Sequence, residues 1–117
     1  MASSTEFLNF VCEQIFGIGS VRFRKMFGDG MVYLNDKPVI LVCDDIAYVK
    51  KLDIIADIMS DAGTGTPYDG AKEHYVLDID NADFAKEVVL KIEAVTPLPR
   101  SKKKKAWLRS IFIASIK

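Results

Sequence analysis

The tripeptide Gly28-Asp29-Gly30 is the first stretch whose residue types could do chemistry, as a phosphate loop, a metal loop or a chain reversal. A phosphate-binding loop would continue as GxxxxGK[ST], and a dinucleotide-binding loop would read GxGxxG at the start of a helix. A calcium-binding loop would carry more carboxylates and a final glutamate. None of these continuations follows, and the next residues are strand-like. We therefore predict a tight or bulged reversal between two antiparallel strands, with positive φ at one of these residues and no ligand.

Nucleophiles and metal ligands are few in this sequence. His74 is the only histidine, and it has no neighbour at the spacing of a zinc site or a catalytic triad. Cys12 and Cys43 lie among apolar residues; between a disulfide and two reduced thiols we favour reduced thiols, with Cys43 inert in a buried strand. The carboxylates between residues 53 and 95 are scattered over helices and turns, as on a solvated surface. The sequence therefore predicts no enzyme activity, no catalytic residue, no cofactor and no metal site.

The C-terminal end, residues 100–117, is strongly basic and could contact an anionic partner. Its cations could hold nucleic-acid phosphates by releasing counterions. Trp107 and the apolar residues 111–113 would also suit an anionic membrane surface. A solvated tail, and a short helix at residues 106–117 that packs on the body or on a partner, are the other interpretations that the sequence leaves open. The candidate nucleic-acid contacts are Arg100, Lys102, Lys103, Lys104 and Lys105.

Length and composition indicate one folded domain. The chain has 117 residues and a mass of 13.1 kDa, half of its residues are apolar, and its mean hydropathy is +0.13. We assign residues 1–99 to the domain and residues 100–117 to the basic tail. The formal net charge of zero hides a segregation, because residues 53–95 carry −7 and residues 96–117 carry +7. The sequence has no apolar run of transmembrane length and no secretory signal, so we predict a cytoplasmic protein.

The N-terminal half predicts one helix followed by an antiparallel meander of four strands. Ser3 and Glu6 have the spacing of a capping box, and apolar residues then recur at helical spacing as far as Gly17. The turn residues Asn35-Asp36 and Asp44-Asp45 separate strand-like runs that lie too close together for crossover connections. The four strands are predicted at residues 21–26, 31–34, 38–43 and 46–50.

The C-terminal half predicts a helix, a strand and another helix. Asp53 is expected to cap the second helix and Gly63 to end it, residues 64–72 form a loop, and residues 74–79 form a strand. Asn81 is expected to cap the third helix. The predicted fold class is α+β: an antiparallel sheet of about five strands with three covering helices, in the order α-β-β-β-β-α-β-α.

Two stretches resemble a known family. Residues 24–50 and 67–78 are similar to the N-terminal domain of the TfoX/Sxy family, regulators of bacterial competence, and the chain most resembles its stand-alone, single-domain members. The resemblance implies a fold like that of secretion chaperones, a bacterial cytoplasmic protein and no enzyme activity. Full-length members also have a C-terminal helical domain, for which this chain is too short. The residues that carry the resemblance are Arg24, Met26, Phe27, Gly28, Tyr33, Asp44, Asp45, Tyr48 and Lys50.

From the sequence we hypothesise a non-enzymatic binding module that acts through contacts with an unidentified protein partner. By analogy with the TfoX/Sxy family, these contacts would serve transcription- or competence-type regulation. The candidate contacts are Arg22, Arg24 and Lys25 on one face of the first strand, with Tyr33 and Tyr48 nearby if the meander pairs in order. An ordinary charged sheet surface would show the same residues. A homodimer is a further option, and a nucleic-acid-binding protein that uses the basic tail is the alternative function.

Overall fold

The computed structural model describes residues 5–26 and 29–97 of the chain. These residues form three helices and six strands. In chain order the elements are α1 (Thr5–Gln14), β1 (Val21–Met26), β2 (Asp29–Leu34), β3 (Lys37–Cys43), β4 (Ile46–Lys50), α2 (Asp53–Ala56), β5 (Thr64–Gly65), β6 (His74–Val76) and α3 (Ala82–Val95).

The six strands form one antiparallel sheet in the order β1-β2-β3-β4-β6-β5. The predicted α+β class and the four-strand meander are confirmed. The extra strand is β5, which consists of two residues that pair with Tyr75 and His74 inside the segment predicted as a loop. A β-bulge interrupts the pairing of β2 with β3 between Val32 and Tyr33.

Two of the three hairpin turns in the meander are built from side chains that tolerate a left-handed backbone. Asn35 and Asp36 have φ values of 53° and 67°, and Asp44 and Asp45 have φ values of 53° and 57°. Two consecutive positive φ values match the twist of the strands on either side, and Asn and Asp adopt them at lower cost than other side chains. Both predicted turns are therefore confirmed.

The first hairpin corrects the prediction for Gly28-Asp29-Gly30. Asp29 and Gly30 already belong to β2, where they pair with Met26 and Lys25. Residues 27 and 28, between β1 and β2, lie outside the described residues. Neither Asp29 nor Gly30 has a positive φ, and a positive φ at Gly28, which lies outside the described residues, stays a prediction. The small size of Gly30 matters instead because of its packing, since a Cβ there would overlap the side chain of Leu8 on α1.

The core lies between one face of the sheet and the three helices. Leu8 and Val11 of α1 are fully buried, as are Val88 and Val89 of α3. The strands contribute mainly alternate residues to the same cluster, as expected for a sheet covered on one side, and Val39 joins Ile40 where the bulge shifts the register. These strand residues are Val32, Leu34, Val39, Ile40, Val42, Ala47 and Val49.

The C-terminal half has shorter elements than the sequence predicts. Helix α2 is a single turn that starts after Leu52, which has no side-chain cap, so Asp53 is not the N-cap. Turns without a regular helix follow α2 at residues 57–61, and Met59 of this stretch is still buried. Strand β6 ends at Val76 rather than at residue 79. The predicted cap of α3 is confirmed, because the Asn81 side chain accepts a hydrogen bond from the Phe84 amide at 3.2 Å.

Over the described ranges 5–26 and 29–97, none of the helices has the length and apolar character needed to cross a membrane. The capping box that the sequence predicts begins at Ser3, which lies outside these ranges.

Candidate functional site

The face of the sheet opposite the core is the candidate site, and we call it the open face. Strand residues that alternate with the core residues lie on it, and they are absent from the cluster that the helices cover. The helices of the described residues cover the opposite face, and only the end of α3 reaches the edge of this one, at Ile92 and Thr96. Its side chains include Arg22, Arg24, Met31, Tyr33, Leu41, Tyr48, Lys50 and His74.

The pairing register places four of the five predicted contacts on the open face. Arg24 pairs with Met31 and Arg22 with Tyr33, while Tyr48 lies two strands further along the row of Met31. Lys25 does not join them, because consecutive strand residues point to opposite faces. Its partner in the register is Gly30, which faces α1. The prediction that Lys25 shares a face with Arg22 and Arg24 was therefore wrong.

Arg22 is held in place over an aromatic ring. Its guanidinium carbon lies 4.3 Å from the centroid of the Tyr33 ring, within the range of a cation–π interaction. Its Nε donates a hydrogen bond to Asp36 Oδ1 at 3.2 Å. Both charged groups are well exposed, so this pair contributes little to stability. Its effect is to order a cation and an aromatic ring at the β1 end of the open face.

A groove of about 540 Å³ crosses the middle of the open face. Its floor comes from β2, β3 and β4, and its rim comes from the segment before β6 and from the end of α3. That volume lies in the range of sites that hold small molecules or short peptide segments. The lining residues that matter for binding are Met31, Leu41, Tyr48, Lys50, Lys72 and His74.

Tyr48 and His74 pack against each other in the groove. Tyr48 is only 8% exposed, and its ring meets the His74 ring edge to face with centroids 6.4 Å apart. A side chain on Gly65 would come within 3.4 Å of the same tyrosine ring. His74 Nδ1 donates to the Lys72 carbonyl oxygen at 2.7 Å, which leaves Nε2 as the ring nitrogen free of that bond. The rings are thus fixed by packing and by the short strand β5.

Lysines on the rim give the groove a positive charge. Lys51 Nζ binds Glu73 Oε1 at 2.5 Å, and hydrogen bonds from Lys51 and Thr64 lower the pKa of the Glu73 carboxyl. Lys50 and Lys72 have no acidic partner among the residues that the structure describes. These two unpaired lysines contrast with the described residues as a whole, whose charged side chains are mainly acidic: nine basic and sixteen acidic side chains give a net charge of −7.

The thiols in the described structure are poor nucleophiles. Cys43 is 3% exposed at the end of β3, and burial together with the neighbouring Asp29 carboxylate raises its pKa to about 12. Burial also raises the pKa of Cys12. A neutral thiol neither attacks an electrophile nor binds a metal ion. Within the described ranges, no group of three or more His, Cys, Asp or Glu residues is placed to hold a metal ion.

Sequence reasoning missed most of the groove. Lys50 and Tyr48 are two residues apart on a predicted strand, which places them on one face, but nothing local links that face to Lys72 and His74. The link is the pairing of β4 with β6 across more than twenty residues. The predicted nucleic-acid contacts Arg100, Lys102, Lys103, Lys104 and Lys105 lie outside the described residues.

Comparison with known proteins finds a relative without an assigned activity. The chain is 29% identical over 107 residues to the "uncharacterized 12.7 kDa protein in trpE 5′ region" of Spirochaeta aurantia, an alignment that covers 90% of this chain and 93% of that protein. No family model matches the chain, and no solved structure matches it. The aligned region extends over nearly the full length of both chains.

Proposed function

We propose that the protein is a TfoX-like binding module that acts through protein contacts made by its open face. The observation that carries this proposal is a sheet face without a covering helix in the described structure, with an ordered Arg22–Tyr33 pair at one end and a groove at its centre. Arginine and tyrosine are enriched in the energetically important centres of protein interfaces. The resemblance to the TfoX/Sxy N-terminal domain supports the same class of function and a regulatory role in the bacterial cytoplasm.

The tyrosines of the sheet favour a protein partner over nucleic acid for this face. Base stacking needs a free aromatic ring, whereas Arg22 covers Tyr33 and Tyr48 is almost fully buried. The alternative, nucleic-acid binding through the basic tail, depends on the five tail residues named above and is tested separately.

A site-specific photo-crosslinker tests the protein-contact proposal. It is placed at Tyr33 on the open face, and in a matched variant at Leu90, which is 43% exposed on α3. In the native cytoplasm we expect a discrete crosslinked product from Tyr33 that is absent from Leu90 and disappears when Arg24→Glu is added. Products common to both positions, or none from Tyr33, would count against the open face as the contact surface. A self-crosslink from Tyr33 would identify a homodimer.

The nucleic-acid alternative is tested by a gel shift at low salt. The full chain is compared with a variant in which Lys102, Lys103, Lys104 and Lys105 are glutamine. We expect neither protein to retain DNA or RNA. Retention by the wild type that the variant loses, and that falls steeply with salt, would favour the alternative function.

A further inference from the structure

The size of the groove suits a short extended chain. It crosses four neighbouring strands, β2, β3, β4 and β6. Strands in a sheet lie about 4.8 Å apart, so the four strands span about 14 Å. An extended peptide advances about 3.3 Å per residue, and four or five residues therefore cover this distance. The groove volume of about 540 Å³ is consistent with an occupant of this size.

The floor of the groove is apolar and the rim is cationic. Met31 and Leu41 are partly exposed neighbours in the pairing register, and Tyr48 continues the same row. Lys50 and Lys72 flank this floor without an acidic partner among the described residues. An unpaired ammonium group beside an apolar surface favours a ligand that brings both a carboxylate and an apolar side chain.

We propose that the groove binds an acidic, extended peptide segment of a partner protein, with its carboxylates at Lys50 and Lys72 and its apolar side chains on Met31 and Leu41. This inference rests on the proposed function and names the chemistry of the partner. The groove rim carries local positive charge on a body with a net charge of −7, so complementary charge favours an acidic segment at this site over the acidic parts of the surface.

Other occupants fit the groove less well. The chain's own residues 98–117 carry seven basic and no acidic side chains, which would place like charges beside Lys50 and Lys72. A nucleic acid would bring no aliphatic side chain to the apolar floor formed by Met31 and Leu41. A second copy of the chain has the same net charge of −7 on its described residues, so the two copies repel each other unless acidic residues of one copy reach the groove of the other. Each of these occupants is an outcome of the experiment below.

Fluorescence anisotropy with the full chain tests the inference. The probe is a labelled hexapeptide of alternating glutamate and leucine with blocked ends, compared with peptides in which glutamine or lysine replaces glutamate. We expect the glutamate peptide to bind at least about tenfold more tightly than the other two, and more weakly as salt rises. Lys50→Glu and Lys72→Glu should each weaken its binding about tenfold or more. The matched charge reversal Lys86→Glu on α3 should leave binding unchanged, and melting curves should show that all variants fold.

Several results would overturn the inference. The first is that the glutamate peptide does not bind at concentrations up to about 1 mM. The second is that the lysine peptide binds as tightly as the glutamate peptide, or that Lys86→Glu weakens binding as much as Lys50→Glu does. The third is that a thymidine octanucleotide binds as tightly as the glutamate peptide and loses its binding in Lys50→Glu. Self-association of the chain that Lys50→Glu abolishes would also overturn it, by assigning the groove to a second copy. A partner crosslinked from Tyr33 that is insensitive to Lys50→Glu and Lys72→Glu would retain the binding module and reject the groove. Peptide binding without any crosslinked partner would instead retain the groove and count against Tyr33 as a contact.

Discussion

Gly30 is special because of its size and not because of its backbone conformation. Its backbone is ordinary strand, and its missing side chain lets α1 approach the sheet. A Cβ there would overlap Leu8, with Leu8 Cδ1 only 2.9 Å away, and Leu8 itself is fully buried. A sequence shows that glycine is present, but it does not separate a need for positive φ from a need for space.

Gly30→Ala should therefore destabilise the fold by overpacking. We expect the free energy of unfolding to fall by about 1–3 kcal/mol, measured by chemical denaturation. Gly63→Ala is the matched control, because a Cβ there meets only Val76 at an ordinary 3.9 Å. In a Leu8→Ala background the cost of Gly30→Ala should shrink, since the clashing atoms are gone. Equal costs in both backgrounds would contradict the contact with Leu8.

The Cys43 thiol makes stability depend on alkaline pH. Its pKa is about 12 in the fold against an ordinary value of 9.0, because burial and Asp29 favour the neutral form. The stabilisation is complete below pH 9 and is lost as pH rises from 9 towards 12. Between pH 7 and pH 10 the unfolding free energy of the wild type should fall about 1 kcal/mol more than that of Cys43→Ala. Parallel pH profiles for the two proteins would show that Cys43 ionises as freely in the fold as in the unfolded chain.

At the scale of elements, the hairpin turns depend on backbone conformation more than on charge. Asp36 has a φ of 67° and also pairs with Arg22 on the surface. Asp36→Val should cost about 1 kcal/mol or more, because a β-branched side chain resists positive φ. Asp36→Asn removes the charge and keeps the tolerant side chain, so it should change stability by less than about 0.5 kcal/mol. Thermal or denaturant unfolding of the pair distinguishes the two causes, and equal losses would assign the effect to the ion pair.

Lys37 joins the first residue of β3 to the end of α3. Its Nζ lies 3.0 Å from Glu93 Oε2 and donates to the Glu93 carbonyl oxygen at 3.1 Å, with both side chains about 20% exposed. Lys37→Met should lower the unfolding free energy by about 1–2 kcal/mol, because the partly buried Glu93 carboxylate loses its ion-pair partner and the Glu93 carbonyl keeps only the longer bond from the Thr96 amide at 3.3 Å. Lys91→Met on the same helix, at a position without an acidic partner in the described structure, should be close to neutral. A neutral Lys37→Met would show that water replaces the lysine at no cost.

The sequence predicts elements well where the signal is local and poorly where it is not. The Asn35-Asp36 and Asp44-Asp45 turns and the Asn81 cap were predictable, since each depends on residues within one turn of chain. Strand β5 was missed because a two-residue strand has no periodicity and exists only through its pairing with β6. The length of α2 was overestimated because Met59 is buried at helical spacing although the helix has already ended.

The same division applies to the site at the scale of the whole molecule. Alternation along β1, β2 and β4 correctly groups Arg22, Arg24, Tyr33 and Tyr48 on one face, and the same rule would have excluded Lys25. The groove was not predictable, because its rim joins β4 to a segment more than twenty residues later. A non-local pairing of this kind is decided by the packing of the whole core, which single-sequence patterns do not encode.

The separation of charge along the chain leads to the last prediction, which concerns the boundary after residue 99. All sixteen acidic residues lie within the described structure, and seven of the sixteen basic residues lie after Pro99. Helix α3 already ends at Thr96, whose amide and hydroxyl both bond to the Ile92 carbonyl, and the core cluster draws on residues up to Ile92. A chain truncated after Pro99 should therefore unfold cooperatively, with a free energy within about 1 kcal/mol of the full chain.

The truncated chain should also bind an anion exchanger at pH 7, because its net charge becomes −7 where the full chain has none. We compare the two chains by circular dichroism and by denaturant unfolding. The Lys37→Met variant is measured beside them as a reference, because it shows how much stability one interaction near the same helix end supplies. A truncated chain that is unfolded, or that is clearly less stable than Lys37→Met, would mean that residues 100–117 complete the core. The domain would then extend to the end of the chain, and the basic residues would belong to its surface.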